Sequence, residues 1–243
     1  TFKGPQFDED GVPTNGWTSA VNFNTYDDLY EGHPYVEMGE GIFWATGNVG
    51  AEAPSASGDY FAWAEVEPYY SSLSPLTWKA GKEEGYYFSS YKYYEMSTTI
   101  VDGEEVQVLK VTKYNTDEET EVLEAEDDAA SYNWGGKWRT PTSEEWQWLN
   151  ENCTWSYIAP LKALKATSKV EGYEGKYILF QATGNYFKTG LIAPDSYYYY
   201  TATKVSSNNQ MASGASLSVA GCSTSMKIPR FYGLQVRPVF TTE

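Results

Sequence analysis

The strongest constraint on the fold is that the two best helix signals lie side by side within 127–153, between long stretches typical of strands. The first signal begins at Asp127, whose carboxylate can accept hydrogen bonds from the amides of a helix start. It ends at Gly135, a residue that tolerates the left-handed backbone of a helix end. Helices confined to one segment pack against antiparallel sheet instead of alternating with its strands.

The second helix signal is a capping box formed by Thr142 and Glu145. Trp146, Leu149 and Cys153 follow at spacings of three and four residues, which predicts one buried stripe. Cys153 is therefore predicted to be a core residue. The second cysteine, Cys222, is far away in sequence, so a bridge between the two depends on whether the fold brings them together.

Strand-like patterns fill much of the remaining chain. Residues 42–49 and 59–66 are apolar, aromatic runs separated by Gly and Pro. Asp102 and Gly103 separate two β-rich runs and predict a hairpin with a type I′ turn. Further strand-like segments cover 177–183, 190–205, 215–221 and 231–240. The predicted fold class is α+β, with antiparallel sheets, two short adjacent helices and long irregular loops.

The predicted domain organisation is one domain preceded by a short segment. Residues 1–33 are polar and acidic and read as a linker or edge segment, so the domain is expected over 34–243. Within it, residues 79–126 form a polar excursion that contains the Asp102–Gly103 hairpin.

The charge distribution excludes one class of partner. The formal net charge is −16, whereas nucleic-acid binding needs a basic surface. Residues 154–243 differ from the rest, with nine bases against four acids. No apolar run is long enough to span a membrane, so membrane association is expected at most through an anchor upstream of Thr1.

Five short motifs, in this order, resemble one protein family. They are W-A-x-x-N-V-G-A at 44–51, G-D-Y-F-A-W at 58–63, D-D-A-A at 127–130, W-R-x-P-T at 138–142 and G-x-x-V-R-P-V at 233–239. Together they resemble the "major paralogous domain" of surface proteins and lipoproteins of Bacteroides-type bacteria. This family is similar to the formylglycine-generating-enzyme-like branch of C-type-lectin-like folds. The resemblance covers about 34–240.

The resemblance implies a C-type-lectin-like domain exported to the cell surface. Related domains are adhesins, pilus-tip subunits or hypervariable receptor-binding proteins. The expected function is therefore non-catalytic recognition or adhesion, with a glycan or a protein as the ligand. A structural or tip subunit of a surface appendage, self-associating through 1–33 or a sheet edge, is the alternative.

Catalytic chemistry is poorly supported by the residues. The resembled oxidases hold copper with two cysteines of the C-terminal half, where this chain has only Cys222. Its one histidine, His33, precedes the predicted domain and leaves no base for a Ser-His-acid triad. Composition leaves a two-carboxylate glycosidase open, but the acidic runs 117–121 and 124–128 are predicted to be solvated. A degenerate formylglycine-generating-type oxidase is the least favoured alternative.

No metal or cofactor is expected. Asp8 to Gly11 offer oxygen ligands but lack the spaced acids and closing Glu of an EF-hand loop. The resembled sugar-binding lectins chelate calcium with Glu-Pro-Asn or Gln-Pro-Asp, and neither tripeptide occurs here.

The resemblance places recognition in the C-terminal stretch 196–232, where Tyr, Ser and Asn are mixed as in antibody paratopes. Strand alternation puts Tyr197 and Tyr199 on one face and Tyr198 and Tyr200 on the other, and one pair is expected in the core. The predicted ligand-binding residues are Tyr197, Tyr199, Tyr200, Thr201, Thr203, Ser206, Asn208, Asn209, Ser223, Thr224, Lys227, Arg230 and Tyr232.

Overall fold

A computed structural model describes residues 28–54, 56–71, 77–78 and 85–242. The predicted segment 1–33, with the acidic stretch Asp8 to Gly11, therefore lies mostly outside the described residues. The described strands in chain order are β1 (Leu29–Tyr30), β2 (His33–Gly39), β3 (Ile42–Ala45), β4 (Tyr70–Ser71), β5 (Thr77–Trp78), β6 (Tyr94–Val101), β7 (Glu104–Val111), β8 (Cys153–Ile158), β9 (Ala163–Ser168), β10 (Tyr177–Gln181), β11 (Asn185–Phe187), β12 (Gly190–Ile192), β13 (Tyr197–Lys204), β14 (Met211–Ser218), β15 (Gly221–Pro229) and β16 (Val239–Thr241).

Two α-helices occur in the described part of the chain, α1 (Ala129–Trp134) and α2 (Ser143–Asn152). Helix α2 begins with the predicted capping box, and its Trp146 and Leu149 are fully buried. Helix α1 ends at Gly135, as predicted. Its cap is Asp128, however, so the prediction of Asp127 as the cap is wrong. Neither described helix is long and apolar enough to cross a membrane.

Every strand pair within the described sheets is antiparallel, which confirms a mixed, strand-rich α+β class. One sheet has the order β1-β2-β3-β16 and joins both ends of the described chain. The sheets β10-β9-β8 and β13-β14-β15 follow the helices in sequence, and β4-β5, β6-β7 and β11-β12 are two-stranded. The predicted boundary after His33 falls inside the first sheet, because His33 opens β2 and pairs with Tyr30 of β1.

Strand β13 lies between two hydrophobic cores. Tyr200 packs with Phe61, Trp63 and other aromatic residues of one core, whereas Tyr199 packs with Trp146 and others in the second core. Tyr199 and Tyr200 are accordingly 0% and 1% exposed. The expectation that only one tyrosine pair would be in the core is wrong, because this strand is covered on both faces at 199–202.

The hairpin predicted within 79–126 is present as β6 and β7. Val101 pairs with Glu104, and the two turn residues Asp102 and Gly103 have φ angles of +52° and +87°. The rest of the excursion is not peripheral, since Tyr86, Tyr91, Tyr93 and Tyr114 are buried in the Phe61 core. Within the described part of this segment, every residue of the outer half of the hairpin, 98–107, is exposed.

Candidate functional site

An open cleft of about 760 Å³ lies where the β8–β9 end meets the loop before β13 and the end of β14. Its volume is within the range of small-molecule sites. Its lining residues are Tyr157, Lys162, Leu164, Ala182, Asp195, Ser196, Tyr197, Tyr198, Ser216, Leu217, Ser218 and Val219.

Three tyrosines supply the aromatic part of the cleft. Tyr157 lies on β8 and is 48% exposed, while Tyr197 and Tyr198 open β13 and are partly exposed. The Tyr197 hydroxyl donates a hydrogen bond of 3.1 Å to the backbone oxygen of Lys162. Burial, followed by the neighbouring Tyr157 and Asp195, raises the pKa of the Tyr197 phenol, so it remains a neutral donor.

Four polar side chains of the cleft are uncommitted, whereas the Ser218 hydroxyl accepts from the Ala220 amide and donates to the Gly221 oxygen. Lys162 follows a short 3₁₀ turn in a left-handed conformation, at φ +49°, and Asp195 lies in the loop before β13. Among the described residues, neither charged group makes an ion pair or a hydrogen bond through its side chain, and the same holds for the hydroxyls of Ser196 and Ser216. The cleft therefore offers donors and acceptors to a ligand without breaking internal bonds.

Four of the predicted ligand-binding residues are buried and cannot contact a ligand at the surface. Tyr199, Tyr200 and Thr201 lie in the doubly covered part of β13. Arg230 is also fully buried: its guanidinium donates to the backbone oxygens of Met211, Lys113 and Tyr114 and lies 4.6 Å over the Trp63 ring. These residues support the fold, and their assignment as contact residues is corrected.

Tyr197, Lys227 and the predicted residues of the turn 206–210 lie at opposite ends of one sheet. Tyr197 pairs with Leu217 at the cleft end, whereas the polar turn 206–210 and Lys227 lie at the opposite end. Lys227 donates to Ser207 there, at 3.3 Å. The eight residues of β13 separate these ends by about 20 Å. The predicted set is therefore not a single site, and of it only Tyr197 lines the cleft.

The remaining members of the predicted set lie on the surface outside the cleft lining. They are Thr203, Ser206, Asn208, Asn209, Ser223, Thr224 and Tyr232, all exposed or partly exposed. Sequence reasoning missed Tyr157, Lys162 and Asp195. Alternation puts Tyr157 on the same face of the strand 153–158 as the buried Cys153 and the partly buried Trp155, so it reads as a core residue in sequence. Only its 48% exposure in the structure marks it as a cleft residue.

The acidic run 124–128 is not wholly solvated, as its last two members are 2% exposed. Glu124, Glu126 and Asp127 are close enough together to hold a cation. The Lys113 ammonium already lies 2.5–3.1 Å from all three carboxylates. This ammonium supplies the charge that a metal ion would otherwise bring, so the cluster is a structural ion-pair network.

Asp127 should make folding stability fall in acid. Burial opposes its charged form, but hydrogen bonds from Lys113, Tyr93, Lys92 and Tyr114 outweigh burial and lower its pKa to about 2. A depressed carboxyl pKa stabilises the fold above the unfolded value, near 4, and this contribution disappears as pH falls to about 2. Asp127→Asn should therefore flatten the loss of stability between about pH 4 and 2, measured by urea denaturation at each pH. An unchanged slope would contradict this role.

The two cysteines are free thiols in or beside the Trp146 core. Burial raises the pKa of both Cys153 and Cys222 to about 12. Because the thiolate is the reactive form, neither should be alkylated quickly by iodoacetamide at pH 8 in the folded protein, and both should react in denaturant. Mass spectrometry of the intact protein measures this directly. Rapid alkylation of either cysteine in the native protein would contradict this expectation. So would a failure of both cysteines to react in denaturant without reductant, because that would indicate a disulfide.

The lone histidine belongs to the fold. His33 stacks on Trp134, with ring centroids 3.7 Å apart and planes 5° from parallel. Burial lowers the pKa of His33, so it is mostly neutral at pH 7.

Comparisons with models of protein families, with curated proteins and with solved structures gave no significant match to this chain.

Proposed function

We propose that this protein is a non-catalytic recognition module whose cleft binds a glycan. The observation that carries the proposal is the grouping of Tyr157, Tyr197 and Tyr198 beside the uncommitted charged groups of Lys162 and Asp195. Aromatic faces pack against the C–H faces of sugar rings, and a few well-placed polar groups fix orientation. Sugar hydroxyls both donate and accept, which matches an ammonium, a carboxylate and several serine hydroxyls.

The glycan in this proposal is uncharged. The protein carries a net charge of −16, and Asp195 adds a local negative charge that Lys162 only balances. An anionic sugar would be repelled by the overall field and would gain little at the site. A protein ligand is the second possibility, but the open cleft suits a chain of rings better than a flat protein surface.

We also propose that the domain has the C-type-lectin-like fold and belongs with the surface proteins that its motifs resemble. Four of the motifs have clear structural positions that support this. Trp44 and Val239 are register partners in the sheet that joins the ends of the described chain, so the first and last motifs meet there. Asp128 caps α1, and Thr142 caps α2. Export to the cell surface is part of the same proposal.

Catalysis is not part of this proposal. The cleft lining contains neither Cys153 nor Cys222, so no thiol is available there as a nucleophile or a metal ligand. His33 is held against Trp134 and does not line the cleft, so the cleft has no imidazole base.

A glycan array tests the proposed function. The wild-type protein should bind one class of neutral oligosaccharide saturably, and Tyr157→Ala should weaken that binding by roughly tenfold or more, since buried aromatic anchors dominate binding energy. Tyr132→Ala is the matched control, because Tyr132 is 60% exposed on α1 and does not line the cleft. It should bind as the wild type does. Absence of any saturable glycan binding, or equal binding by Tyr157→Ala, would overturn the proposal.

A further inference from the structure

The β6–β7 hairpin, residues 94–111, is the feature that the cleft does not explain. Every residue from 98 to 107 is exposed, so neither face of this outer half is covered by the described parts of the chain. Strands β6 and β7 pair only with each other among the described strands. A two-stranded ribbon with no covered face is marginally stable on its own in water.

The exposed half of the hairpin is mostly polar but carries three large apolar side chains. Ile100 and Val101 are 62% and 49% exposed on β6, and Val106 is 40% exposed on β7. Met96, nearer the root, is 59% exposed. Since side chains alternate along a strand, Met96 and Ile100 lie on one face of the ribbon, and Val101 and Val106 lie on the other. Each face therefore has an exposed apolar pair that a partner could cover.

Beyond Glu95, the outer edge of β6 lacks the charges, proline and bulge that protect sheet edges. Its segment 96–101, Met-Ser-Thr-Thr-Ile-Val, contains no charged residue and no proline. It is rich in the β-branched residues that favour an extended strand. The register with β7 is continuous from Tyr94 to Val101, without a bulge that would twist the edge away.

The charge near the turn indicates which partner fits. Asp102, Glu104 and Glu105 are exposed, and no basic residue occurs from 98 to 107. Two such hairpins placed edge to edge with their turns at the same end would bring like charges together, which is unfavourable. A second copy paired in that way is therefore a poor fit, whereas an extended segment with basic side chains is complementary.

We infer that the hairpin binds an extended, basic segment of another polypeptide, which adds to the edge of β6 as a third strand. Backbone hydrogen bonds to β6 would supply affinity. Ile100 and Met96 would pack against apolar side chains of the partner, and the acidic turn would select lysine or arginine. This surface is separate from the cleft, none of whose lining residues lies on the hairpin.

A peptide titration tests the inference. The probe is a labelled synthetic peptide of about eight residues, in which threonine and valine alternate and lysines stand at both ends. Fluorescence anisotropy measures its binding. A second peptide has glutamates in place of the lysines. The wild-type protein should bind the lysine peptide about tenfold more tightly than the glutamate peptide. The double variant Glu104→Lys with Glu105→Lys should reverse that preference.

The control variant changes the net charge of the protein by the same amount, but at positions outside the hairpin. Glu52→Lys with Glu119→Lys alters two exposed acids outside the hairpin and should keep the wild-type preference. Ile100→Lys should lower the affinity for the lysine peptide by roughly tenfold, because the new lysine repels the peptide and the apolar contact is lost. Failure of the wild type to bind either peptide, or equal binding of both, would overturn the inference. So would a dimer in sedimentation that Ile100→Lys dissociates, because the occupant would then be a second copy.

Discussion

Arg237→Met is expected to lower the free energy of unfolding by about 3–5 kcal/mol. Arg237 is fully buried, and its Nε donates to Asn48 Oδ1 at 2.6 Å. One guanidinium nitrogen donates to the backbone oxygens of Ala45, Thr46 and Leu179 at 3.0–3.2 Å. Methionine leaves these four acceptors without their donor, and each unsatisfied buried group costs about 1–3 kcal/mol, part of which relaxation recovers.

The position of Arg237 explains why the effect should be large. Its contacts join the chain just before β16 to the end of β3 and to β10, so one side chain links three segments that are far apart in sequence. Its charge also lies 4.9 Å over the Phe180 ring. Burial lowers the pKa of Arg237, and backbone oxygens together with this ring stabilise its charge.

Arg139→Met is the matched control for this experiment. Arg139 makes a bidentate ion pair with Glu145 at 2.6 Å, but its side chain is 35% exposed. Its loss should cost about 1 kcal/mol or less. Urea denaturation followed by tryptophan fluorescence measures both variants. If the free energy of unfolding of Arg237→Met lies within about 1 kcal/mol of the wild-type value, the guanidinium does not hold these segments together.

Asp128→Ala should destabilise the protein by about 2–4 kcal/mol. The Asp128 carboxylate accepts hydrogen bonds from the amides of Ala130, Ser131 and Thr140 and from the Thr140 hydroxyl, at 2.8–3.1 Å. It thereby caps α1 and fixes the chain that leads into α2. Alanine removes all four acceptor contacts in a buried site.

Two further variants separate the Asp128 contacts from a general charge effect. Asp128→Asn keeps one acceptor oxygen and should show an intermediate loss in thermal denaturation. Asp117→Ala removes an exposed acid from the neighbouring acidic run and should stay within about 0.5 kcal/mol of the wild type. Equal stability of Asp128→Ala and Asp117→Ala would contradict the proposed role.

The elements predicted well from sequence are those set by local chemistry. The Thr142–Glu145 capping box and the Asp102–Gly103 turn each depend on residues within a few positions of one another, and both are present. The Asp127 cap was wrong by one residue, because a lysine at a distant position, Lys113, takes up the Asp127 carboxylate. Which of two adjacent acids is free to cap depends on tertiary contacts.

The candidate site was harder to predict because it depends on long-range packing. Tyr157 and Lys162 lie close together around the β8–β9 turn, but Asp195 comes from a distant segment and meets them only in the folded protein. Side-chain alternation along β13 also gave a wrong prediction of which tyrosines are exposed, because a strand between two cores buries both faces. Arg230 reads as a surface residue in sequence, yet three backbone oxygens and an indole ring satisfy it inside the protein.

The central claim is that recognition occurs in the Tyr157–Tyr197 cleft, and amide chemical-shift mapping tests it most directly. The ¹⁵N-labelled protein would be titrated with the neutral oligosaccharide that binds best on the array. We expect the largest shifts at 157–164, 195–198 and 216–219, the segments that line the cleft. Shifts confined to the opposite end of the sheet, at 206–210 and Lys227, with the cleft amides unmoved, would contradict the account.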